Sequence, residues 1–147
     1  MTFFPRSLSR LSSRRRWILL AAVRAVIVAV VQVKFSSFRH LAAVLGQGGC
    51  ESGFDLSAEQ QLLARDVEWA IAAVSRRLSP MPTCLMQAAA AKRVLASRGV
   101  PATLYFGVAP DAGDGRAINA HAWLRCGTRI VTGRAQARRY RPLAWFA

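Results

Sequence analysis

The sequence predicts an α+β domain, with helices over roughly the first hundred residues and a short antiparallel sheet after them. Apolar residues recur at three- and four-residue intervals before Gly99, which is the helical period. Beyond Pro101 the pattern changes to strict alternation, which is typical of half-buried strands. A chain of 147 residues is also long enough for one substantial core.

The first predicted helices lie in a basic and apolar N-terminal region, residues 1–53. The apolar run Trp17–Val33 imitates a signal peptide or a membrane anchor. A helix of this length spans only about 25 Å of a hydrocarbon core about 30 Å thick. Arg24 near its middle would cost about 2.5–3.5 kcal/mol to insert. We therefore predict a buried or partner-facing helix, followed by a second over residues 37–45, with interfacial membrane association as an alternative.

A glycine-rich stretch, residues 46–53, is predicted to link this region to the catalytic part, residues 54–147, within one compact domain. Ser57 and Gln60 have the spacing of a capping box, so a helix is predicted to start there and to run to about Arg77. Its apolar stripe is expected to pack in the core.

The next predicted helix starts with a cysteine. Pro80 and Pro82 keep the chain extended up to Thr83, a natural N-cap, and the alanine-rich helix ends before Gly99. Cys84 therefore lies on the first turn, where unpaired backbone N–H groups and the helix dipole favour the thiolate. The thiol is well placed for nucleophilic chemistry.

A histidine that could act as its base lies on a predicted strand. The alternation over residues 118–125 puts Asn119, His121 and Trp123 on one face of this strand. A strand over residues 102–108 precedes it, and a loop separates the two. A helix-start cysteine followed by a strand histidine is the order used by papain-like and transglutaminase-like catalytic domains. The predicted chemistry is acyl transfer to Cys84, with His121 as base and then acid.

After a turn at Gly127, a third strand is predicted over Arg129–Thr132. The remaining residues, 134–147, contain four arginines and three aromatic residues. We predict an irregular tail whose aromatic side chains pack on the sheet, with a wall of a peptide groove as the alternative.

Charge and cysteine content limit the classes of partner and cofactor. The formal charge of +14 suggests polyanionic or acidic partners, but no helix-turn-helix, zinc-finger or RNA-binding signature supports nucleic acid. Cys50, Cys84 and Cys126 have neither disulfide nor zinc spacing, so a reducing cytoplasm is the simplest setting. No metal or redox cofactor is called for. Cys126 is expected to be buried, and Cys50 to be a loop thiol without function.

Two blocks of the sequence carry a resemblance to a known family. The segment 83–108, with Thr83-Cys84-Leu85-Met86-Gln87-Ala88, and the segment Ala120-His121-Ala122-Trp123-Leu124-Arg125-Cys126-Gly127 resemble the B2 leader peptidases of lasso-peptide biosynthesis. These are small transglutaminase-like cysteine proteases. The basic, apolar N-terminus resembles the opening helices of the same family, so the likeness covers most of the chain.

The resemblance implies a substrate, partners and a fold. The substrate would be a ribosomally made precursor peptide, cut between leader and core so that a separate cyclase can close the macrolactam. A separate leader-recognition protein is expected, because residues before Ser57 are helical and apolar rather than a recognition domain. The implied fold is papain/transglutaminase-like, with the catalytic cysteine at a helix start packed on a short antiparallel sheet. A transglutaminase or amidase of the same fold, and a basic membrane-associated or polyanion-binding protein, are the alternatives.

The sequence departs from that family at the group that orients the histidine, commonly an aspartate. No acidic residue follows Asp114, and a tight hairpin would place the residue opposite His121 near Gly133. Thr132 is the nearest side chain that could accept from the imidazole. A backbone carbonyl, a distant carboxylate, or a Cys84–His121 dyad are the other possibilities. Candidate substrate or oxyanion contacts are Gln87, Asn119 and Trp123, although a structural amide is favoured for Gln87.

Overall fold

The computed structural model describes residues 11–110 and 118–147. Over these residues the elements, in chain order, are helices α1 (Ser13–Phe35), α2 (Phe38–Leu45), α3 (Ala58–Ser75) and α4 (Cys84–Ala96), strands β1 (Thr103–Pro110), β2 (Ile118–Cys126) and β3 (Arg129–Thr132), the short helix α5 (Arg134–Ala137), and strand β4 (Arg141–Phe146). The predicted α+β class is confirmed. The predicted loop with Asp111 and Asp114 lies outside the described residues.

The predicted helix starts are confirmed by their caps. At α3 the Ser57 hydroxyl accepts from the backbone N–H of Gln60, and the Gln60 side chain accepts from the N–H of Ser57, which completes the capping box. At α4 the Thr83 hydroxyl accepts from the N–H of Met86. Gly99, with φ +66°, follows the end of α4, as the sequence predicts.

Helix α4 lies at the centre of the core, packed against α1, α3 and the sheet. Its buried face includes the run Ala88–Ala91, whose small side chains allow neighbouring backbones to approach closely. The same core contains Val26 of α1, Val67 of α3, and Leu104 and Leu124 of the sheet. The N-terminal helix α1 therefore shares one hydrophobic core with the catalytic part of the chain.

The outer face of α1 is apolar and exposed. A stripe that includes Ile18 and Val26 is buried, but Leu20, Ile27 and Phe35 are 67%, 57% and 82% exposed. By length and composition α1 is the one helix of the described residues that could cross a membrane. The same length and composition occur in core helices of soluble proteins and in signal sequences near an N-terminus, so they do not assign α1 to a membrane. The predicted burial is thus confirmed for the inner face alone.

The sheet is antiparallel, with strand order β3-β2-β1-β4. Side chains alternate between its faces: Leu104 and Leu124 face the core that contains α4. Tyr105 and Trp123, which are direct cross-strand partners, pack in a second cluster on the opposite face with α5. This second face carries the histidine of the candidate site.

The prediction of an irregular C-terminal tail was wrong. Residues 141–146 form β4, which pairs with β1. At its end, Gln47 and Ala147 exchange two backbone hydrogen bonds of 3.0 and 3.1 Å, so the predicted linker lies beside the last strand. This pairing joins segments far apart in sequence, and Pro142 within the run argued against a strand, although proline is tolerated on an edge strand such as β4.

The buried side chain of Arg125 joins the linker to the sheet by hydrogen bonds. Arg125 is 9% exposed, and its guanidinium donates to the carbonyls of Ser52 and Gly127 at 2.9 and 2.8 Å and to the Tyr105 hydroxyl at 3.0 Å. The Tyr105 hydroxyl in turn donates to Glu51 at 2.7 Å. Desolvation, and then the hydrogen bond to Glu51, raise the pKa of Tyr105, so the phenol remains a donor at neutral pH.

We expect Arg125→Met to lower the free energy of unfolding by about 3 kcal/mol, because it leaves buried carbonyl and hydroxyl acceptors without donors. Urea denaturation followed by circular dichroism measures the change. Arg129→Met is the control: Arg129 pairs with Glu68 at a partly exposed site, where the expected loss is below about 1 kcal/mol. Equal losses in the two variants would contradict the role of Arg125.

Candidate active site

Cys84 is the first residue of α4, and its side chain is half-buried. The Thr83 cap satisfies the N–H of Met86, and the first helical backbone bond is that from Gln87 to Thr83. The N–H groups of Cys84 and Leu85 therefore have no partner within the helix. They lie beside the thiol, where donors to an oxyanion are needed.

The side chain of Gln87 supports this turn rather than pointing at a substrate. Its amide nitrogen donates to the carbonyl of Pro82 at 2.7 Å. The bond ties the extended segment before the helix to the first helical turn, and it agrees with the structural role that the sequence favoured. A contact of Gln87 with substrate stays a prediction.

His121 lies on β2, is 8% exposed, and is held by one backbone group. Its Nε2 atom is 3.1 Å from the carbonyl oxygen of Gly133. A carbonyl can only accept, so Nε2 carries the proton and Nδ1 is the unprotonated nitrogen of the neutral ring. The ring packs against Tyr140, with centroids 5.0 Å apart, and against Trp123 at 6.0 Å. The neutral tautomer that can accept a proton at Nδ1 is thereby fixed.

Glycine is required at position 133 for this contact. Gly133 has φ +75°, in the left-handed region. A Cβ atom there would lie 2.8 Å from His121 Nε2, 2.8 Å from the Cβ of Trp123 and 2.9 Å from the carbonyl oxygen of Ala122. The missing side chain is therefore what lets the carbonyl reach the imidazole.

The Thr132 side chain makes no hydrogen bond with His121 in the described part of the chain. Its hydroxyl is buried and has no hydrogen-bond partner among the described residues. A bulge shifts the register of β2 and β3 so that Thr132 pairs with Leu124, and the chain turns at Gly133. The acceptor is therefore the backbone carbonyl one residue later, which was the alternative to the threonine side chain.

Helix α4 packs on the face of the sheet that carries Leu104 and Leu124, whereas His121 lies on the opposite face with Trp123. The structure therefore does not bring the Cys84 thiol and the imidazole together. Within residues 11–110 and 118–147, no hydrogen bond joins the two side chains, and His121 instead contacts Gly133, Trp123 and Tyr140. Proton transfer in this chain requires the thiol and Nδ1 of the imidazole to approach one another.

The other two predicted site residues differ in environment. Trp123 is buried and stacks on Tyr105, with ring centroids 5.4 Å apart and planes within 8°. Its ring also packs against the imidazole of His121. Asn119 is exposed two residues before His121. Tyr140 covers the imidazole, and its sequence context does not predict it as a site residue. Its only sequence signal was its place among the C-terminal aromatic residues.

The remaining thiols differ from Cys84. Cys126 is buried and donates to the carbonyl of Pro101, and burial raises the pKa of its thiol, which keeps it protonated and unreactive. Its predicted burial is confirmed. Cys50 is half-buried like Cys84 but does not start a helix. Within residues 11–110 and 118–147, no group of three or more His, Cys, Asp or Glu side chains is arranged to hold a metal.

Comparison with known proteins adds one finding. Residues 25–144 match the family model of the transglutaminase-like superfamily. Neither a curated protein nor a solved structure gives a significant match to the chain. The family match begins inside α1 and ends within β4, so it contains the helix-start cysteine, the strand histidine and the sheet except for the last two residues of β4. The chain belongs to the transglutaminase-like superfamily.

Proposed function

We propose that this protein is a cysteine peptidase that removes the leader from a ribosomally made lasso-peptide precursor before a separate cyclase closes the macrolactam. The family membership supports cysteine-based acyl transfer. The lasso-peptide assignment rests on the resemblance of the Cys84 and His121 segments described above. A separate leader-recognition protein and the cyclase complete the proposed set of partners, and the proposed setting is the cytoplasm.

The proposed reaction uses Cys84 and His121 in sequence. The Nδ1 atom of His121 takes the thiol proton, and the sulfur attacks the carbonyl carbon of the leader–core bond. The N–H groups of Cys84 and Leu85 donate to the oxyanion. The imidazole then gives its proton to the leaving amine of the core, and the leader remains as a thioester on Cys84. Water, deprotonated by His121, hydrolyses the thioester and restores the free thiol.

The observation that carries the proposal is the bond between His121 Nε2 and the Gly133 carbonyl. In enzymes of this type a third group holds the ring so that one nitrogen faces the nucleophile. Here a backbone carbonyl takes the place of the usual carboxylate. It fixes the tautomer without adding a negative charge, so the imidazolium that forms is stabilised by a dipole alone.

The test is mass spectrometry of a candidate precursor incubated with this protein and its leader-recognition partner. We expect the native chain to release the leader, and His121→Ala to lower the rate by at least about 100-fold, because general base catalysis is lost. His40→Ala is the matched control: His40 is the other histidine, is exposed on α2, and should leave the rate unchanged. Equal rates for native and His121→Ala protein would contradict the proposal.

The same assay separates hydrolysis from amide transfer. In water enriched in ¹⁸O, a peptidase places one heavy oxygen in the new carboxylate of the leader. A transglutaminase or amidase of the same fold would need Cys84 but would leave the leader–core bond uncut. An amide product on an added amine, with no leader released, would favour that alternative.

A second candidate function is a basic protein that associates with membranes, and the exposed stripe of α1 favours it. Leu20, Ile27 and Phe35 share this stripe with Arg24, and exposed apolar patches flanked by cations suit an anionic lipid surface. Sedimentation with phosphatidylglycerol vesicles, compared with phosphatidylcholine vesicles, tests it. Ile27→Asp should abolish vesicle binding, whereas Leu143→Asp, exposed on β4, should not. Failure of the native protein to bind would remove this candidate.

A further inference from the structure

A cavity of 430 Å³ lies between α3, β3, α5 and the segment before α3. Its volume falls in the range of ligand pockets, about 300–1,000 Å³. Four arginines line it: Arg65 of α3, Arg129 of β3, Arg134 of α5, and Arg138 directly after α5. The lining contains no acidic residue. This cavity is distinct from the residues placed around the candidate active site.

The arginine charges are only partly neutralised by the protein. Glu68 accepts from Arg129 at 2.7 Å and lies 3.5 Å from Arg134. Among the described residues, the side chains of Arg65 and Arg138 make neither a hydrogen bond nor an ion pair, and both residues are exposed. Arginines gathered around one concave site repel each other unless an anion lies between them. The cavity therefore has an excess of about three positive charges.

We propose that this cavity binds the carboxylates of an acidic peptide segment. The planar guanidinium matches a carboxylate in a two-bond fork, and Arg65 and Arg138 have all their donors available. The rest of the lining includes Phe54, Leu56 and Ile130, which suit the aliphatic parts of a peptide. The site is thus built for side chains with an apolar stem and an anionic end, which is the chemistry of glutamate.

The lining fits a peptide better than a nucleic acid. Binding of single-stranded nucleic acid uses aromatic faces on which bases stack. Phe54 is the one aromatic residue that lines this cavity, and the Arg125 guanidinium already covers one face of its ring at 4.2 Å. The lining therefore offers a base one aromatic face at most, whereas a carboxylate needs none.

The cavity also lies close to the residue that orients the proposed catalytic base. Arg134 follows Gly133 directly, and the Gly133 carbonyl holds His121. A peptide held by Arg134 of α5 and by Arg138, which directly follows α5, would lie beside the segment that orients the base. That acidic peptides are the substrates of the peptidase rests on the proposed function, but binding in the cavity does not.

The test is fluorescence anisotropy with the full-length chain and a labelled ten-residue peptide that contains four glutamates, next to the same peptide with four glutamines. We expect the glutamate peptide to bind at least about 10-fold more tightly. The double variant Arg65→Gln/Arg138→Gln should weaken its binding by at least about 10-fold and remove the preference. The control Arg39→Gln/Arg76→Gln removes two exposed arginines outside the cavity and should change binding less than about 3-fold.

Two outcomes would overturn the proposal. Equal weakening by both double variants would mean that the net charge of the chain, not the cavity, attracts the peptide. Binding of a labelled oligonucleotide that Arg65→Gln/Arg138→Gln abolishes, with no preference for the glutamate peptide, would assign the cavity to phosphates. Cys84→Ala protein separates the two hypotheses: it should bind the peptide like the native chain. Loss of leader release with intact binding of the glutamate peptide bears on the peptidase proposal alone. Loss of the preference for glutamate over glutamine with intact leader release bears on the cavity proposal alone.

Discussion

Cys84→Ala protein is expected to release no detectable leader, a loss of at least about 1,000-fold in rate, because no other group can form the acyl intermediate. Its folding should be nearly unchanged, since the side chain is half-buried and alanine is a good helix former. Mass spectrometry of the precursor, with the leader-recognition partner present, measures the rate. Leader release by this variant at the native rate would remove Cys84 from the mechanism.

The chain supplies its own control for this substitution. Cys50 is also a free thiol of intermediate burial, but it lies in the linker, away from the unpaired N–H groups at the start of α4. Cys50→Ala should therefore retain the native rate. Alkylation at neutral pH, mapped by peptide mass, should modify Cys84 faster than Cys50. A faster reaction at Cys50 would contradict the influence that we assign to the helix start.

The helical half of the fold is predictable because its signals are local. The Ser57–Gln60 box and the Thr83 cap each lie within four residues of the bonds that they form, so the sequence alone locates α3 and α4. The strand β4 is not predictable in this way. Its partner β1 lies more than thirty residues earlier, and the backbone bonds that define the pairing leave no mark in side-chain periodicity.

The candidate site likewise contains residues that have local sequence signals and one group that has none. Cys84 and His121 carry recognisable chemistry in recognisable local structure, so the residue types alone identify them. The group that holds the imidazole cannot be identified from residue types, because a backbone carbonyl is present at every residue. Only the bulge that pairs Thr132 with Leu124, and the left-handed turn after it, select the carbonyl of Gly133. A search for a third catalytic side chain would therefore miss it.

Gly133→Ala is expected to lower leader release by about 10–100-fold, because displacement of a catalytic group by a fraction of an ångström to one ångström has effects of this size. A Cβ atom 2.8 Å from Nε2 must push the ring or the carbonyl away. The substitution also places alanine at φ +75°, which costs about 1–2 kcal/mol of stability. The matched control is Gly99→Ala: Gly99 has φ +66°, but its added Cβ would meet nothing within 4 Å.

The two alanine variants share the backbone strain, so their difference isolates the contact with His121. We expect both to lose stability in urea denaturation, and only Gly133→Ala to lose activity. ¹⁵N NMR of the imidazole gives a readout that a loss of stability alone would not change. The native ring should carry its proton at Nε2, whereas Gly133→Ala should show both tautomers, because the carbonyl no longer selects one. Native tautomer and native rate in Gly133→Ala would mean that the Gly133 carbonyl does not position the base.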